Sequence, residues 1–187
     1  MLENESHTWT LFLDRDGVIN QRPGSGYVCK PEQFIWLPQS LEAMRLLSGV
    51  FPTIVLVTNQ QGIGKGYMQE VDLKAIHQHM LEQLSDAGAR IDGIYHAAGI
   101  RAYDSFKRKP SPGMALQAKS DFPSINYNYA IMVGDTFTDM MFGKRLGMKT
   151  VFIAPGYLNF MGNYWPLIDY RFNSLYHFAR FISKAFM

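Results

Sequence analysis

A chain of 187 residues, nearly half of them hydrophobic, has room for one domain (residues 1–187) with a substantial core, and a formal charge of +2 argues against a nucleic-acid partner. Its one cysteine, Cys29, excludes an internal disulfide and a cysteine-rich zinc centre, and it reads as a packing residue. The polar start "MLENESHTW" has no signal-peptide core and no apolar run reaches the ~18 residues of a membrane span, so the expectation is a cytoplasmic protein with no membrane contact.

Taken in chain order, the first apolar run is "TLFL", which leads straight into Asp14 and Asp16. A short helix is predicted over 40–49, followed by a second run, "TIVLVTN", at 53–59. Leu73, Ile76, Met80, Leu84 and Ala87 recur at helical spacing up to Gly88, and His77 and His79 between them read as surface residues. "IDGIYHA" (91–97) is a weaker strand candidate, with His96 read as a loop residue near its end. Pro112 near a first helical position opens a helix over 111–122. Then come the run "YAIMVGD" (129–135), a helix over 138–147, and the run "TVFIA" (150–154). The aromatic segment "FMGNYWPLIDYRF" reads as core and loop packing with some capacity for weak self-association of a monomer. A helix with an aromatic stripe over 173–186 closes the chain.

Runs that are apolar throughout, rich in β-branched and aromatic residues, belong in a parallel sheet covered on both faces. Strands alternating with helices then predict an α/β fold, a Rossmann-like doubly wound sheet flanked by helices. In such sheets ligands bind beyond the carboxyl ends of the strands. Those ends carry Asp14 and Asp16, Thr58 and Asn59, then Asp135 with Asp139 four residues on, while Lys109 precedes "PSPG".

Oxygen donors without histidine suit magnesium, and magnesium beside a lysine and neutral donors suits a phosphoryl group. A carboxylate is ionised at neutral pH without a helper base and can attack phosphorus. A second carboxyl two residues on can protonate the leaving oxygen and then deprotonate water. "GIGKGY" (62–67) lacks the Ser or Thr that a P-loop places after its lysine, so it reads instead as a mobile loop over the site.

The motifs "DRDGV", "VTN", "KP" and "GDTFTD", in this order, resemble those of the haloacid dehalogenase (HAD) superfamily of aspartyl-phosphate phosphatases. "FLDRDGVIN", "GYV", "VTNQQGIGKG", "RKPSPGM" and "MVGDTFTDM" resemble its histidinol-phosphate and heptose-bisphosphate phosphatase branch, over about Leu11 to Ala154. The resemblance implies a HAD-like fold with Asp14 as nucleophile and Asp16 as general acid/base. It implies Mg2+ held by Asp14, the backbone carbonyl of Asp16, and Asp135, and phosphate held by Thr58, Asn59 and Lys109. It further implies that Asp139 orients Lys109 or metal-bound water and that Arg108 meets the substrate beyond its phosphate; Lys65 on the glycine-rich loop is a second substrate contact. Many members of the branch carry a zinc loop of three cysteines and a histidine before "RKP". Here "YHAAGIRAYDSFKRKP" has His96 and no cysteine, so no zinc is expected.

Only loop-sized segments lie between Asn20 and Ser40 and between Asn59 and Gln69, so no large cap domain is expected. The expected substrate is a small phosphate ester, first D-glycero-D-manno-heptose 1,7-bisphosphate, then histidinol phosphate or another sugar phosphate. A phosphotransferase would need a cap to shut out water. A non-catalytic binding protein would have no use for Asp14, Asp16 and Lys109 together.

Overall fold

The four apolar runs form the centre of a six-stranded sheet in which each strand lies parallel to its neighbours, in the order β3-β2-β1-β4-β5-β6. The computed structural model describes residues 9–100, 106–156 and 162–185. The strands are β1 (Thr10–Leu13), β2 (Thr53–Asn59), β3 (Gly93–Ala97), β4 (Ala130–Gly134), β5 (Lys149–Ile153) and β6 (Tyr170–Phe172). The helices are α1 (Ser40–Val50), a four-residue turn α2 (Gln61–Gly64), α3 (Glu70–Asp86), α4 (Gly113–Asp121), α5 (Phe137–Arg145) and α6 (Leu175–Ala185).

Pleating sends successive side chains of a strand to opposite faces, and here both faces are covered. Leu11, Leu13, Ile54, Leu56, Ile131 and Val133 enter one buried layer with side chains of α1, α3 and α6. Phe12, Val55, Val57 and Met132 enter the other, against Met114 and Ala118 of α4 and Phe142 of α5. The sequence therefore shows unbroken apolar runs instead of alternation. In α6, Leu175, Phe178, Ala179 and Ile182 repeat at helical spacing and pack the helix onto α1.

The strand order reverses at β1, which pairs with β2 on one side and with β4 on the other in the registers Thr10↔Thr53 and Thr10↔Ala130. The crevice at the carboxyl ends of β1 and β4 is the switch point of such a sheet, where ligands bind. Asp14 and Asp135 each stand one residue past those ends, and the Asp14 backbone N–H donates to the Val133 carbonyl at 2.9 Å. Between β1 and α1 the described chain holds one 3-10 turn (Pro31–Gln33), and between β2 and α3 only α2, so neither insertion builds a cap layer.

Three sequence expectations are corrected. The segment read as aromatic loop packing contains β6, a parallel edge strand of three residues pairing Tyr170 with Val151 and Phe172 with Ile153. Asp169 positions it: this carboxylate takes the Lys144 ammonium at 2.7 Å and the Thr150 N–H at 2.8 Å. His96 lies on β3, paired in register with Thr58, not in a loop. His77 is buried, not on the surface, because it shares the inward face of α3 with Leu73 and Met80.

Candidate active site

Two chain connections, after β1 and after β4, converge at the switch point. Asp14 follows β1, Asp135 follows β4, and Asp139 sits in the first turn of α5. One carboxylate oxygen from each lies within 4.8 Å of the others. Lys109 enters from the segment before α4, buried, with its ammonium 2.8 Å from Asp14 Oδ1 and 2.6 Å from Asp139 Oδ1. The second oxygen of Asp139 accepts from the Thr136 backbone N–H at 3.0 Å and from the Thr136 hydroxyl at 2.5 Å, the capping box that starts α5. Both Asp139 oxygens are thus committed, one to its own helix and one to Lys109.

Close packing around these acids explains two glycines. Gly17 has φ +90°, and a Cβ there would lie 2.0 Å from Asp135 Oδ2. A Cβ on Gly134 would lie 2.2 Å from the Asp139 Cβ. The motif glycines give the carboxylates their space.

Asp16 stands beside this group with its carboxylate turned the other way. It accepts from Arg15 Nη2 at 2.9 and 3.0 Å, Asn20 Nδ2 at 2.9 Å and Gln60 Nε2 at 2.9 Å. Gln60 also donates to the Thr58 hydroxyl at 2.8 Å, so Thr58 joins the site through Gln60. Asn59 pairs reciprocally with the Lys109 peptide, its Oδ1 taking the Lys109 N–H at 3.0 Å and its Nδ2 reaching the Lys109 carbonyl at 3.2 Å. It ties the Lys109 segment to the end of β2. Arg108 donates to the Gly99 carbonyl at 3.1 Å. Lys65 is exposed on the rim after α2, its ammonium 5.7 Å from the centroid of the Tyr27 ring. The expected mobile loop at 62–67 begins as the α2 turn, packed between the Tyr27 ring beside Gly62 and the Ala98 carbonyl, which accepts from the Gly64 N–H.

The electrostatics follow from burial and these partners. Burial pushes the Asp14 carboxyl up to about 6, against the pull of Lys109 and with Asp139 and Asp16 adding to the rise. Burial and the neighbouring Asp14 charge push Asp135 up to about 7, while Arg22 pulls it down. Burial would also raise Asp16, but the Arg15 charge and the hydrogen bonds from Asn20, Gln60 and Arg15 outweigh it and hold that carboxyl below 3.8. Burial disfavours the Lys109 ammonium, yet Asp139 and Asp14 raise it above 10.5. The acids therefore compete for a shortage of positive charge.

Several participants were not singled out from sequence. Arg15 is fully buried and reaches both Asp16 and His77 Nε2, the latter at 3.3 Å. Burial and the charges of Arg15 and His96 drive His77 down to about 3, so it is neutral at physiological pH. Its position four residues after Leu73 and three before Met80 was the available signal. Asn20 and Gln60 lie inside the quoted motifs "FLDRDGVIN" and "VTNQQGIGKG", but a single amide there signals no role of its own. Arg22 donates through Nη2 to the Asp16 backbone carbonyl at 2.9 Å and to Asp135 Oδ1 at 2.8 Å. A cleft of about 430 Å3 opens beside Asp135, walled by Thr136, Pro155 and the stacked rings of Phe137 and Phe152.

A parallel sheet that gathers carboxylates and one buried lysine at its switch point defines a class of hydrolase, and comparison with known proteins places the chain within it. Residues 106–158 match the HAD-hydrolase-like family. Over 183 residues the chain is 36% identical to the D-glycero-alpha-D-manno-heptose-1,7-bisphosphate 7-phosphatase of Mycobacterium tuberculosis, covering 98% of this chain and 96% of that one. It is 40% identical to the D-glycero-beta-D-manno-heptose-1,7-bisphosphate 7-phosphatase of Pasteurella multocida over 78% of this chain and 82% of that protein. The crystal structure of the D,D-heptose 1,7-bisphosphate phosphatase from B. bronchiseptica, complexed with magnesium and phosphate, superimposes with a TM-score of 0.85 at 27% identity, covering 95% and 99% of the two chains. The chain belongs to the HAD-like phosphatases, in the branch that contains the heptose-1,7-bisphosphate 7-phosphatases.

Proposed function

We propose that the chain hydrolyses the 7-phosphate of D-glycero-D-manno-heptose 1,7-bisphosphate, with the α anomer as its substrate, through a phosphoryl group carried on Asp14. The anomer follows the Mycobacterium tuberculosis relative, whose likeness runs over nearly the whole chain. The observation that carries the chemistry is the contact of Asp14 with Lys109 beside Asp135 and Asp139 at the switch point of the sheet.

The donor set fits a small hard cation: it is made of oxygen, and the Asp16 carbonyl and Asp135 Oδ1 are close enough to share one guanidinium nitrogen. Asp14, the Asp16 carbonyl and Asp135 would hold Mg2+, which supplies charge neutralisation for the phosphoryl oxygens when bound. Lys109 faces the same oxygens as a fixed positive charge, held by Asp139 and by the Asn59 clasp on its peptide. Thr58, buried at the end of β2, supports the Gln60 contact to Asp16.

In the first step an Asp14 oxygen bonds to phosphorus, the ester P–O bond breaks, and the leaving oxygen takes a proton from the Asp16 carboxyl. In the second, the Asp16 carboxylate takes a proton from water, whose oxygen attacks phosphorus; inorganic phosphate leaves and Asp14 is restored. The proton that Asp16 donates is first taken up from solvent, which requires Asp16 to give up some of its bonds to Arg15, Asn20 and Gln60. Held below the ordinary carboxyl range, Asp16 is suited to the base step as it stands. On this reading Arg108 and Lys65 are the contacts for the sugar and its second phosphate.

The test is kcat/KM for both heptose bisphosphate anomers, histidinol phosphate and other sugar monophosphates, with Mg2+ present. The reading expects the α anomer to lead. Preference for histidinol phosphate would overturn the substrate, and absence of phosphate release from every ester would overturn the activity.

A further inference from the structure

The guanidinium of Arg22 lies where the metal reading needs a cation. Nη2 is 2.9 Å from the Asp16 backbone oxygen and 2.8 Å from Asp135 Oδ1, and Arg22 makes no other hydrogen bond or ion pair among the described residues. Its side chain is about half exposed and hangs from the segment that follows the buried Asn20, so it can swing away without disturbing the core. By contrast Arg15, seven residues earlier, is fully buried and pinned to Asp16 and His77.

Charge counting makes the placement significant. Asp14, Asp135 and Asp139 bring three carboxylates against the one ammonium of Lys109, and Asp16 is paired separately with Arg15. Two formal negative charges remain on a buried cluster, which a dication would balance. Arg22 balances one of them. A divalent cation held by the same two oxygens would compete with that nitrogen for their lone pairs and would repel its charge.

We propose that Arg22 is a resident counter-cation of this site, bridging the Asp16 carbonyl and Asp135 until a divalent cation displaces it, so that guanidinium and metal hold these two oxygens in turn. The inference rests on the metal reading above and adds that cation entry is an exchange. The bridge keeps Asp135 and the chain after Asp16 in register when no metal is bound, and it lowers the apparent affinity for the metal. A half-exposed ion pair is worth only up to about fivefold in a binding constant.

The experiment uses the full chain, stripped with a chelator and titrated with Mg2+ by calorimetry, with a parallel melting curve. Arg22→Ala and Arg22→Gln are expected to bind Mg2+ roughly two- to fivefold more tightly than wild type. Metal-free, both should melt below wild type, and with saturating Mg2+ the difference should vanish. Asp135→Asn is the control and should bind Mg2+ much more weakly. Unchanged or weaker Mg2+ binding in both Arg22 variants, with binding impaired in Asp135→Asn, overturns the exchange and leaves the metal reading standing. Wild-type Mg2+ affinity in Asp135→Asn overturns the metal reading and this inference with it.

Discussion

Replacing Lys109 with methionine keeps the side chain to within one atom of its length and removes the cation that touches both Asp14 and Asp139. Its ammonium lies 2.8 Å from Asp14 and 2.6 Å from Asp139, each contact a gross attraction of roughly 6 kcal/mol at an effective dielectric of ~20. Desolvation of the three groups offsets most of that. Removing one partner of such a buried cluster costs about 3–5 kcal/mol, because the remaining charges are left uncompensated. Protonation offers relief. Asp14 is already raised by burial to about 6, and without the pull of Lys109 it rises further. A carboxyl whose folded pKa exceeds its unfolded value of 3.8 takes up a proton on folding, so stability falls as pH climbs from there through the folded value. Urea unfolding of chelator-treated Lys109→Met, followed by circular dichroism, should show the full deficit near pH 8, a smaller one near pH 5, and partial recovery with Mg2+. A deficit below about 1 kcal/mol, or one independent of pH, would refute the reasoning.

Other outcomes follow from the same geometry. His77 is held neutral at about 3 against 6.5 when unfolded, so the unfolded chain binds the extra proton and stability drops as pH falls from 6.5 toward 3, by at most on the order of 5 kcal/mol. His77→Gln should flatten that acid limb relative to wild type in the same urea titrations; an unchanged slope would contradict the assignment. Gly17→Ala drives a Cβ into Asp135 Oδ2 at a positive φ, with a backbone cost of about 1–3 kcal/mol, and should weaken Mg2+ binding by calorimetry more than it lowers the melting temperature. Wild-type affinity there would mean Asp135 is not where the cation binds.

Much of this site is legible in sequence because one rule locates it. Apolar runs mark the strands, and the acids that follow them, Asp14, Asp135 and Asp139, fall at the switch point, where Lys109 of the "KP" motif meets them. The edges of the fold are less legible. β6 is three residues long and none of the three is buried, so neither length nor alternation announces it. The side-chain clamp on Asp16 is also hidden, since Arg15, Asn20 and Gln60 meet only after α3 and β2 are packed. His77 is legible from helical spacing, since it falls on the face of Leu73 and Met80, and only its pairing with His79 suggests the surface. Arg22 carries no signal at all: its contact with Asp135 spans 113 residues and depends on the fold of an exposed segment.

The central claim is that phosphorus is carried on one carboxylate, that of Asp14. Acid-quenched protein taken during steady turnover of a heptose bisphosphate, digested and mapped by mass spectrometry, tests it directly. One phosphoryl group on the peptide containing Asp14, absent from Asp14→Asn, is the predicted result. Phosphorylation at another residue, or undiminished turnover by a folded Asp14→Asn, would contradict it.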